Sequence, residues 1–395
     1  MSALRRAWMY LSQPEIGGAQ ISTIVVADDL KTSGWRLDFS FSYDGSLVAE
    51  CRLHGHEPSW VPMPEWYRFL VNTSLAFKAK WLVASLVLMF RLFRKLRKER
   101  PDLIYLLGRR DIMLCAPAAF LLRIPMIYHL HGLNPEFLPY EDRVALAFAR
   151  ALGAPLVCNS KHTEGLARKY GWKGKTDVIY NGINFDPSYE MDKSEARRRF
   201  GIAPEELVIG CGSRISPGKN IDGLLRMFAH LQGLLGRPLL LLIAGGEDTF
   251  QRGRLLSELK ALAAELGIES SVRWLGHLRE MGPFYRALDL FVSLTEVESF
   301  GRVFVESMAA GVLTLATRVG GVPEIISDGV DGVFVPVKDP DRAAEIAAEL
   351  LRDPERAARL ARAGRESSRS RFSPESHTAR MVKVFEEAIT HKPRR

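Results

Sequence analysis

Cysteine is scarce in this sequence, and long apolar runs are absent. The 395 residues include four cysteines, and none lies close enough to another for a CxxC motif, which argues against a zinc knuckle and a redox pair. The longest apolar run near the start, residues 81–90, is about half of the roughly 20 residues that a membrane-spanning helix needs. The first ten residues lack the apolar segment of a signal peptide. We therefore expect a cytoplasmic protein with buried, unpaired cysteines.

Acidic residues are also in deficit. Asp and Glu number 46 against 54 Lys and Arg, so the formal net charge is +8 and the pI is about 9.3. Such a balance favours an anionic partner, which could be nucleic acid, a phosphate group or an acidic membrane surface. Hydrophobic residues at 47% and charged residues at 25% exclude a disordered chain, and the length predicts two domains.

Short apolar runs alternate with helix-length segments, the longest from about residue 65 to 98, and this predicts parallel sheets covered by helices on both faces. After a polar stretch at residues 185–191 the pattern restarts. We therefore predict two Rossmann-like doubly wound α/β domains, residues 1–186 and 187–373, followed by a helix over 374–391. The predicted strands are residues 7–11, 48–53, 102–107, 126–130, 155–158 and 177–180, and then 207–211, 238–243, 272–275, 288–293, 312–316 and 332–336. Ligands of such folds bind outside the carboxyl ends of the strands, which favours a cleft between the two domains.

The strongest local signal is the segment from Glu298 to Glu306, ESFGRVFVE, which follows an apolar strand. Gly301 falls where a helix begins, so free backbone N–H groups and the positive end of the helix dipole favour a phosphate there. Eight residues at about 1.5 Å rise put the two carboxylates about 10 Å apart, too far for a retaining hydrolase and suited to the two ends of a nucleotide sugar. The alternative is a capped helix with two solvated glutamates.

A glycine-rich loop with two cations is the second signal. Residues 210–220 connect a predicted strand to a predicted helix and contain Arg214 and Lys219. A diphosphate requires positive charge and directed donors, which this pair supplies. The loop matches neither the Walker A pattern nor GxGxxG. The alternative is an ordinary surface loop, since such loops commonly carry Arg and Lys.

Two further candidates lie in the first domain. Gly17 and Gly18 follow the first predicted strand and open a helix, where the backbone could approach a ligand or simply make a tight turn. His129 and His131 share one face at the end of a strand. His131 is nearer the end of the strand, where sites occur, whereas His129 fits a packed side chain better.

The search for metal ligands in the sequence gives no candidate site. The DPD at residues 339–341 reads as a helix N-cap followed by proline at the first helical position. The HGH at residues 54–56 lacks a third ligand nearby. We therefore predict no metal.

Taken together, these motifs resemble the signature of glycosyltransferase family 4. The resemblance is carried in order by NGIN (181–184), YRALDLFVS (285–293), ESFG (298–301), ESMAAG (306–311) and ATRVGGVPEII (316–326), with the early Gly17–Gly18 pair. It covers most of the chain. It implies a retaining transferase of the GT-B fold, with a terminal helix that crosses back to the N-terminal domain. The first domain would then bind the acceptor and the second the nucleotide-sugar donor.

The resemblance also implies roles for individual residues. Arg214 and Lys219 would hold the donor diphosphate, Glu306 the ribose, and Glu298 the donor sugar, with His131 beside the reacting carbon. Metal would not be needed, because basic residues and a helix N-terminus stabilise the leaving diphosphate. The predicted catalytic residues are His131, Glu298, Arg214 and Lys219, and the predicted donor-binding residues are Gly17, Gly18, Arg214, Lys219, Leu275, Glu298, Ser299, Phe300, Gly301, Val303 and Glu306.

The substrates are less well determined. The sequence favours UDP or GDP as the carrier of a hexose, with no other cofactor, and a glycan or lipid-linked acceptor in surface polysaccharide or glycolipid synthesis. Gln20 and Arg302 depart from the residues usual in the family, which leaves the donor and acceptor open. The alternatives are a non-hydrolysing nucleotide-sugar epimerase and a non-catalytic binding protein. A nucleic-acid binder lacks support, since no recognition motif is present.

A membrane contact is the last expectation. Residues 91–100 contain six basic side chains against the single acidic Glu99, and five of the seven tryptophans fall in the first 81 residues. Basic and aromatic residues beside an apolar helix suit the headgroups of an anionic membrane at the cytoplasmic face. The alternative is a core helix with a solvated basic end.

Overall fold

The chain divides into two compact units, each built on one parallel sheet. The computed structural model describes residues 4–15, 17–63, 74–133, 139–247 and 253–390. The first unit ends at Gly182 and resumes at Pro374, and the second unit is Ile183–Ser373. Their assignment to acceptor and donor remains a prediction.

The first unit contains a seven-stranded sheet in which every pairing is parallel. Its order is β3-β2-β1-β4-β5-β6-β7. The strands are β1 (Arg5–Leu11), β2 (Trp35–Phe41), β3 (Ser59–Trp60), β4 (Leu103–Leu106), β5 (Met126–Leu130), β6 (Leu156–Cys158) and β7 (Thr176–Val178). The helices of this part are α1 (Gly18–Leu30), α2 (Ser46–Leu53), α3 (Leu75–Glu99), α4 (Arg109–Leu122), α5 (Pro139–Ala151) and α6 (Lys161–Lys169).

One predicted strand is wrong. Residues 48–53 lie in helix α2, in which Leu47, Val48 and Cys51 are buried, a helical spacing. The strand that pairs with β1 is instead β2, whose alternating Trp35, Leu37, Phe39 and Phe41 are all buried. Without knowledge of the strand that pairs with β1, the short apolar run at 48–53 could be interpreted as either a strand or a helix.

The long helix predicted from about residue 65 to 98 corresponds to α3, which begins later than predicted. Helix α3 begins after Ser74, whose side chain accepts a hydrogen bond from Phe77 N, and it ends at Glu99. Residues 65–73 of the prediction lie outside the described part. Within the described residues, every helix is too short or too polar to cross a bilayer.

The second unit contains a six-stranded parallel sheet of order β10-β9-β8-β11-β12-β13. Its strands are β8 (Leu207–Gly212), β9 (Leu239–Ala244), β10 (Val272–Gly276), β11 (Leu290–Ser293), β12 (Leu313–Thr317) and β13 (Val333–Val335). Each lies within two residues of its predicted position. The helices are α7 (Lys193–Arg199), α8 (Ile221–Leu235), α9 (Arg254–Glu265), α10 (Gly282–Ala287), α11 (Arg302–Ala309), α12 (Pro340–Leu351) and α13 (Pro354–Arg371).

The last helix, α14 (Pro374–Thr390), packs on the first unit. Phe385 meets Trp35 edge to face with ring centroids 5.1 Å apart, and Trp35 Nε1 donates to Glu386 Oε1 at 2.9 Å. Met381 and Val384 are buried in the same apolar cluster.

The strand orders fix where ligands can bind. In the first sheet the order reverses between β1 and β4, and in the second between β8 and β11. In parallel α/β sheets, the crevice at such a reversal, beyond the carboxyl ends of the strands, is the usual ligand site. The loops after β1, β8 and β11 are those that the sequence singled out.

Candidate active site

The loop after β8 is tied to the end of β11. Asn220 has a left-handed backbone and caps α8 by accepting from Gly223 N, while its Nδ2 donates to Leu294 O at 3.1 Å. Gly218 O accepts from Thr295 Oγ1 at 3.0 Å. These bonds hold the cationic loop beside the loop that carries Glu298.

Two glycines after β12 fix the backbone around Glu298. A Cβ on Gly320 would lie 1.7 Å from Glu298 O, and one on Gly321 would lie 2.4 Å from Ser299 O. Gly321 N donates to Glu298 O at 3.1 Å. Gly301, at a φ of 105°, then lets the chain turn into α11. The N-terminus of α11 is therefore set at the reversal between β8 and β11.

The two predicted site residues Lys219 and Glu298 are in direct contact. Lys219 Nζ lies 2.6 Å from Glu298 Oε2, and both side chains are largely buried. The second carboxylate oxygen, Oε1, accepts from Ser299 N at 3.1 Å. Arg214 lies on the same loop as Lys219, with an exposed side chain. Lys219 and the Glu298 carboxylate therefore lie together, and Arg214 belongs to the same loop as Lys219.

Glu306 is held from two sides. Tyr285 donates its hydroxyl to Oε2 at 2.9 Å, and Arg302 donates to Oε1 at 3.1 Å. Burial, and then the Glu306 charge, raise the pKa of Tyr285 well above its usual value. Tyr285 therefore stays a hydrogen-bond donor, and Arg302, which departs from the family pattern, supplies a counter-charge to the buried carboxylate.

The remaining predicted residues of the second unit lie around this cluster or on a sheet edge. Phe300 is buried against Phe372, with ring centroids 5.6 Å apart, and Val303 sits in the first turn of α11. Leu275 is half-buried in β10, the edge strand. The structure therefore gathers the loops after β8 and β11 and leaves Leu275 two strands away from β8.

The predicted glycines and histidine of the first unit follow β1 and β5. Gly17 precedes α1 in an extended conformation, and its carbonyl accepts from Ile21 N at 3.0 Å. His131 is half-buried just beyond β5, and Asn159 Nδ2 donates to its carbonyl at 2.9 Å. Both positions lie at the carboxyl edge of the sheet.

His129 is a packed histidine, as expected. It is fully buried and shares a 2.5 Å hydrogen bond between Nδ1 and the Tyr105 hydroxyl, and its ring is tilted against that of His131 with centroids 4.0 Å apart. The ring of His377 in α14 stacks with that of His129 at a centroid distance of 6.3 Å. Burial, followed by the charges of His131 and His377, holds the pKa of His129 well below its usual value. It is therefore neutral near pH 7.

Sequence reasoning missed several residues of these two edges. Asp111, in the first turn of α4, accepts from Ser12 N at 3.1 Å, and burial raises the pKa of Asp111 to about 6. Tyr285 was noted only as part of the YRALDLFVS motif, and His377 was not singled out. A polar residue directly after an apolar strand, as in the GRRD that follows β4, is the signal that could have found Asp111.

The rejected metal motifs have structural roles. Asp339 caps α12 by accepting from Arg342 N at 3.0 Å, as the sequence predicted. His54 and His56 bind different oxygens of Asp28, at 2.6 and 2.9 Å. In the described part of the chain, no group of three or more His, Cys, Asp or Glu side chains is arranged to hold a metal ion.

Comparison with known proteins places the chain in a family. A model for Glycosyltransferase Family 4 matches residues 16–187, and one for Glycosyl transferases group 1 matches residues 192–367. The D-inositol 3-phosphate glycosyltransferase of Xylanimonas cellulosilytica is 31% identical over 294 residues, which cover 69% of this chain and 68% of that protein. The chain belongs to glycosyltransferase family 4.

Other family 4 relatives align over less of their length. The D-inositol 3-phosphate glycosyltransferase of Thermobispora bispora is 36% identical over 222 residues, which cover 54% of this chain and 51% of that protein. The N-acetyl-alpha-D-glucosaminyl L-malate synthase of Bacillus anthracis is 28% identical, with 54% of each chain covered. The chain thus spans about half the length of these two relatives.

Solved structures show the same fold. Anabaena HepE in complex with UDP and glucose superposes with a TM-score of 0.82 at 24% identity, covering 97% of this chain and 100% of that one. Sucrose-phosphate synthase from Thermosynechococcus elongatus gives a TM-score of 0.78 at 19% identity, covering 98% and 99%. Together with the two parallel sheets, these matches identify the family 4 chain as a GT-B fold.

Proposed function

We propose that the protein transfers a hexose from a nucleoside-diphosphate sugar to a hydroxyl group, with retention of configuration and without a metal ion. The acceptor is a glycan or a lipid-linked sugar of surface polysaccharide or glycolipid synthesis. The observation that carries the proposal is the contact between Lys219 and Glu298 at the N-terminus of α11. A cation, a carboxylate and the N-terminus of a helix together match a diphosphate joined to a hydroxyl-rich sugar.

The donor would bind at this cluster, with its diphosphate next to the cations. Lys219 and Arg214 would bind the diphosphate and stabilise the charge that develops on it as the sugar leaves. Glu298 would accept hydrogen bonds from sugar hydroxyls and Glu306 from the ribose. Such positioning and charge stabilisation are sufficient for a front-face route, in which the acceptor hydroxyl enters beside the departing diphosphate.

UDP is the carrier that the comparisons favour. HepE structures of the same fold contain UDP, UDP with glucose, or UDP-glucose. GDP-sugars are the next choice, and a binding screen that includes both carriers decides between them.

Support for the acceptor comes from two directions. A structure of the same fold, with a TM-score of 0.68, is a lipopolysaccharide outer core galactosyltransferase, which favours a saccharide acceptor. The named relatives act instead on D-inositol 3-phosphate or L-malate, which are small anionic molecules with hydroxyl groups. A small anionic acceptor is therefore the second candidate to test.

The proposed location is the cytoplasm, at the cytoplasmic face of a membrane. All four cysteines are buried and unpaired, which suits a reducing compartment.

The test combines donor binding with product analysis. Wild-type protein is incubated with UDP- and GDP-hexoses and with lipid-linked, glycan and small anionic acceptors, with and without EDTA, and products are identified by mass spectrometry and by NMR of the anomeric proton. We expect a new α-linked glycoside that is unaffected by EDTA. Conversion of the donor without any acceptor would instead indicate an epimerase.

Variants connect the reaction to the site. Lys219→Ala, Glu298→Ala and His131→Ala should each reduce transfer sharply while the melting temperature stays near that of the wild type. Lys260→Ala, which removes an exposed lysine of α9, is the matched control and should be fully active. Full activity of Lys219→Ala would overturn the assignment of the diphosphate site.

A further inference from the structure

Helix α3 leaves a row of large apolar side chains uncovered. Its buried face is formed by Ala84, Leu88, Leu92 and Leu96, which pack into the core of the first unit. On the opposite side, five apolar residues are between 46% and 61% exposed: Leu82, Val83, Leu86, Val87 and Phe90. We call these five residues the α3 outer face. Their spacing of one and four residues places them on one side of the helix over two turns.

Cations continue the same side of the helix. Phe90, Arg94 and Lys98 follow one another at four-residue intervals, and the Arg94 guanidinium lies 6.0 Å from the centre of the Phe90 ring. Arg97 is also exposed. At the other end, Lys78 and Lys80 are exposed one turn before Leu82. The apolar row therefore has basic residues at both ends.

The cations of α3 beyond Phe90 fall into two groups. Lys95 pairs with Glu99 at 2.8 Å, and Arg91 donates to the carbonyl of Pro62 at 2.6 Å. These two cations therefore bind partners within the protein. Arg94, Arg97 and Lys98 have no carboxylate within ion-pair distance among residues 4–15, 17–63, 74–133, 139–247 and 253–390. Three charges are thus left for a partner.

We propose that the α3 outer face and the adjoining Arg94, Arg97 and Lys98 dock the protein on the surface of an anionic lipid bilayer. An exposed apolar strip between cations is the chemistry of a helix that lies in the membrane interface, with apolar side chains at the acyl boundary and basic ones at the headgroups. Because the side chains that adjoin the apolar row are basic, the bilayer that complements this surface is an anionic one. Helix α4, which contacts α3, also exposes two large apolar side chains, Phe120 and Leu121, in its last turn.

Vesicle flotation of the full chain tests this surface. At low salt the wild type should float with vesicles of phosphatidylcholine containing phosphatidylglycerol, should not float with phosphatidylcholine alone, and should be released by high salt. Leu82→Ser/Leu86→Ser/Phe90→Ser and Arg94→Glu/Arg97→Glu/Lys98→Glu should each reduce binding by about tenfold or more. If the triple apolar variant fails to fold, Phe90→Ser alone should still reduce binding measurably.

A second charge-reversal variant separates this surface from net charge. Arg356→Glu/Arg359→Glu/Arg362→Glu makes the same change in total charge on exposed positions of α13. It should float like the wild type. Equal loss of binding in both charge-reversal variants would overturn the proposal, and so would absence of flotation of the wild type with anionic vesicles.

The competing occupant is a second copy of the chain. Light scattering decides this: if the serine variant turns a dimer into a monomer, the surface is a dimer contact and the proposal fails. Donor binding is measured in parallel by calorimetry with UDP and should be unchanged in every α3 variant. Failure of docking is thereby distinguished from failure of the proposed transfer reaction.

Discussion

Lys219 and Glu298 form an ion pair, with Nζ 2.6 Å from Oε2, although 79 positions separate them in the sequence. Both residues are expected to bind the donor, one at the diphosphate and one at the sugar. The pair keeps each charge compensated in a largely buried place before a ligand arrives. We expect a diphosphate that binds next to Lys219 to compete with Glu298 for the ammonium group, because that group already donates to the Glu298 carboxylate.

Lys219→Ala should weaken UDP binding by about 10- to 100-fold, because a charge-assisted hydrogen bond contributes about 1.5–3 kcal/mol. The variant also leaves the Glu298 carboxylate without its cation, facing an incoming anion. Calorimetric titration with UDP measures the effect. Lys219→Arg should retain most of the affinity, whereas an unchanged dissociation constant in Lys219→Ala would contradict the role of this residue.

Tyr285→Phe should lower the free energy of unfolding by about 1–3 kcal/mol, because it removes a donor from the buried Glu306 carboxylate. It should also weaken UDP binding by about three- to tenfold, since Glu306 is then oriented by Arg302 alone. Urea denaturation and UDP titration measure the two effects. The control is Tyr140→Phe, at a side chain that is 77% exposed, and it should change neither.

Gly320→Ala should disrupt the loop that carries Glu298. The added Cβ would lie 1.7 Å from Glu298 O, at a φ of 54°, so the Glu298 backbone must move. Gly329→Ala is the matched control, since its φ is 70° but a Cβ there would meet nothing within 4 Å. Gly329→Ala should cost about 1–2 kcal/mol of stability from the left-handed backbone alone. Gly320→Ala should cost about 2 kcal/mol more, with UDP affinity reduced at least about tenfold; similar behaviour of the two variants would show that the contact is unimportant.

Asp111 should make the first unit less stable as the pH rises. Its pKa is about 6 in the fold against 3.8 in the unfolded chain, because burial penalises the charged form. The unfolded state therefore loses its proton first, and stability falls between about pH 4 and pH 6 by up to about 3 kcal/mol. Asp111→Asn keeps an oxygen acceptor for Ser12 N and removes the charge.

The Asp111→Asn variant should match the wild type at pH 4 and be about 1–3 kcal/mol more stable at pH 7.5. Urea denaturation at the two pH values measures this difference. Asp44→Asn changes a side chain that is 70% exposed and is expected to have no such effect. A variant less stable than the wild type at pH 7.5 would mean that the ionised carboxylate stabilises the fold, which would contradict the raised pKa of Asp111.

His129 should act in the opposite direction. Its pKa in the fold lies well below 6.5, so the unfolded state binds a proton first as the pH falls. Stability from this residue is complete above about pH 6.5 and is lost progressively below it. His129→Asn keeps an acceptor near Nδ1 for the Tyr105 hydroxyl and should flatten the acid side of the stability profile. Denaturation midpoints between pH 5 and pH 7 test it, and an unchanged profile would contradict a buried neutral His129.

The alternation of apolar runs and helical segments predicted the second sheet almost completely. Four of its six strands, β8, β9, β11 and β12, are buried along nearly all of their length, so they stand out as short apolar runs in the sequence. The same reasoning failed at residues 48–53, because the burial of Leu47, Val48 and Cys51 is compatible with both a strand and a helix. Only the pairing of β1 with β2 excludes the strand.

The sequence predicted which loops carry the candidate site, but not all of the side-chain contacts within it. Arg214, Lys219, Glu298 and Glu306 were found because they follow apolar strands next to glycines. Tyr285 was missed as a partner of Glu306, since it lies in a separate helix, α10, 21 positions earlier in the sequence. Asp111 was missed because its position after β4 marks a polar residue at the edge of the sheet but does not show that its carboxylate is buried.

The sequence by itself determined that two parallel α/β units follow one another and that polar, glycine-rich loops leave the carboxyl ends of particular strands. It did so because burial and turn preferences are local properties. The tertiary structure decided which of those loops meet. The order β10-β9-β8-β11-β12-β13 places β8 beside β11, and only that adjacency brings Lys219 to Glu298, since hydrogen bonds and ion pairs depend on distance in space rather than along the chain.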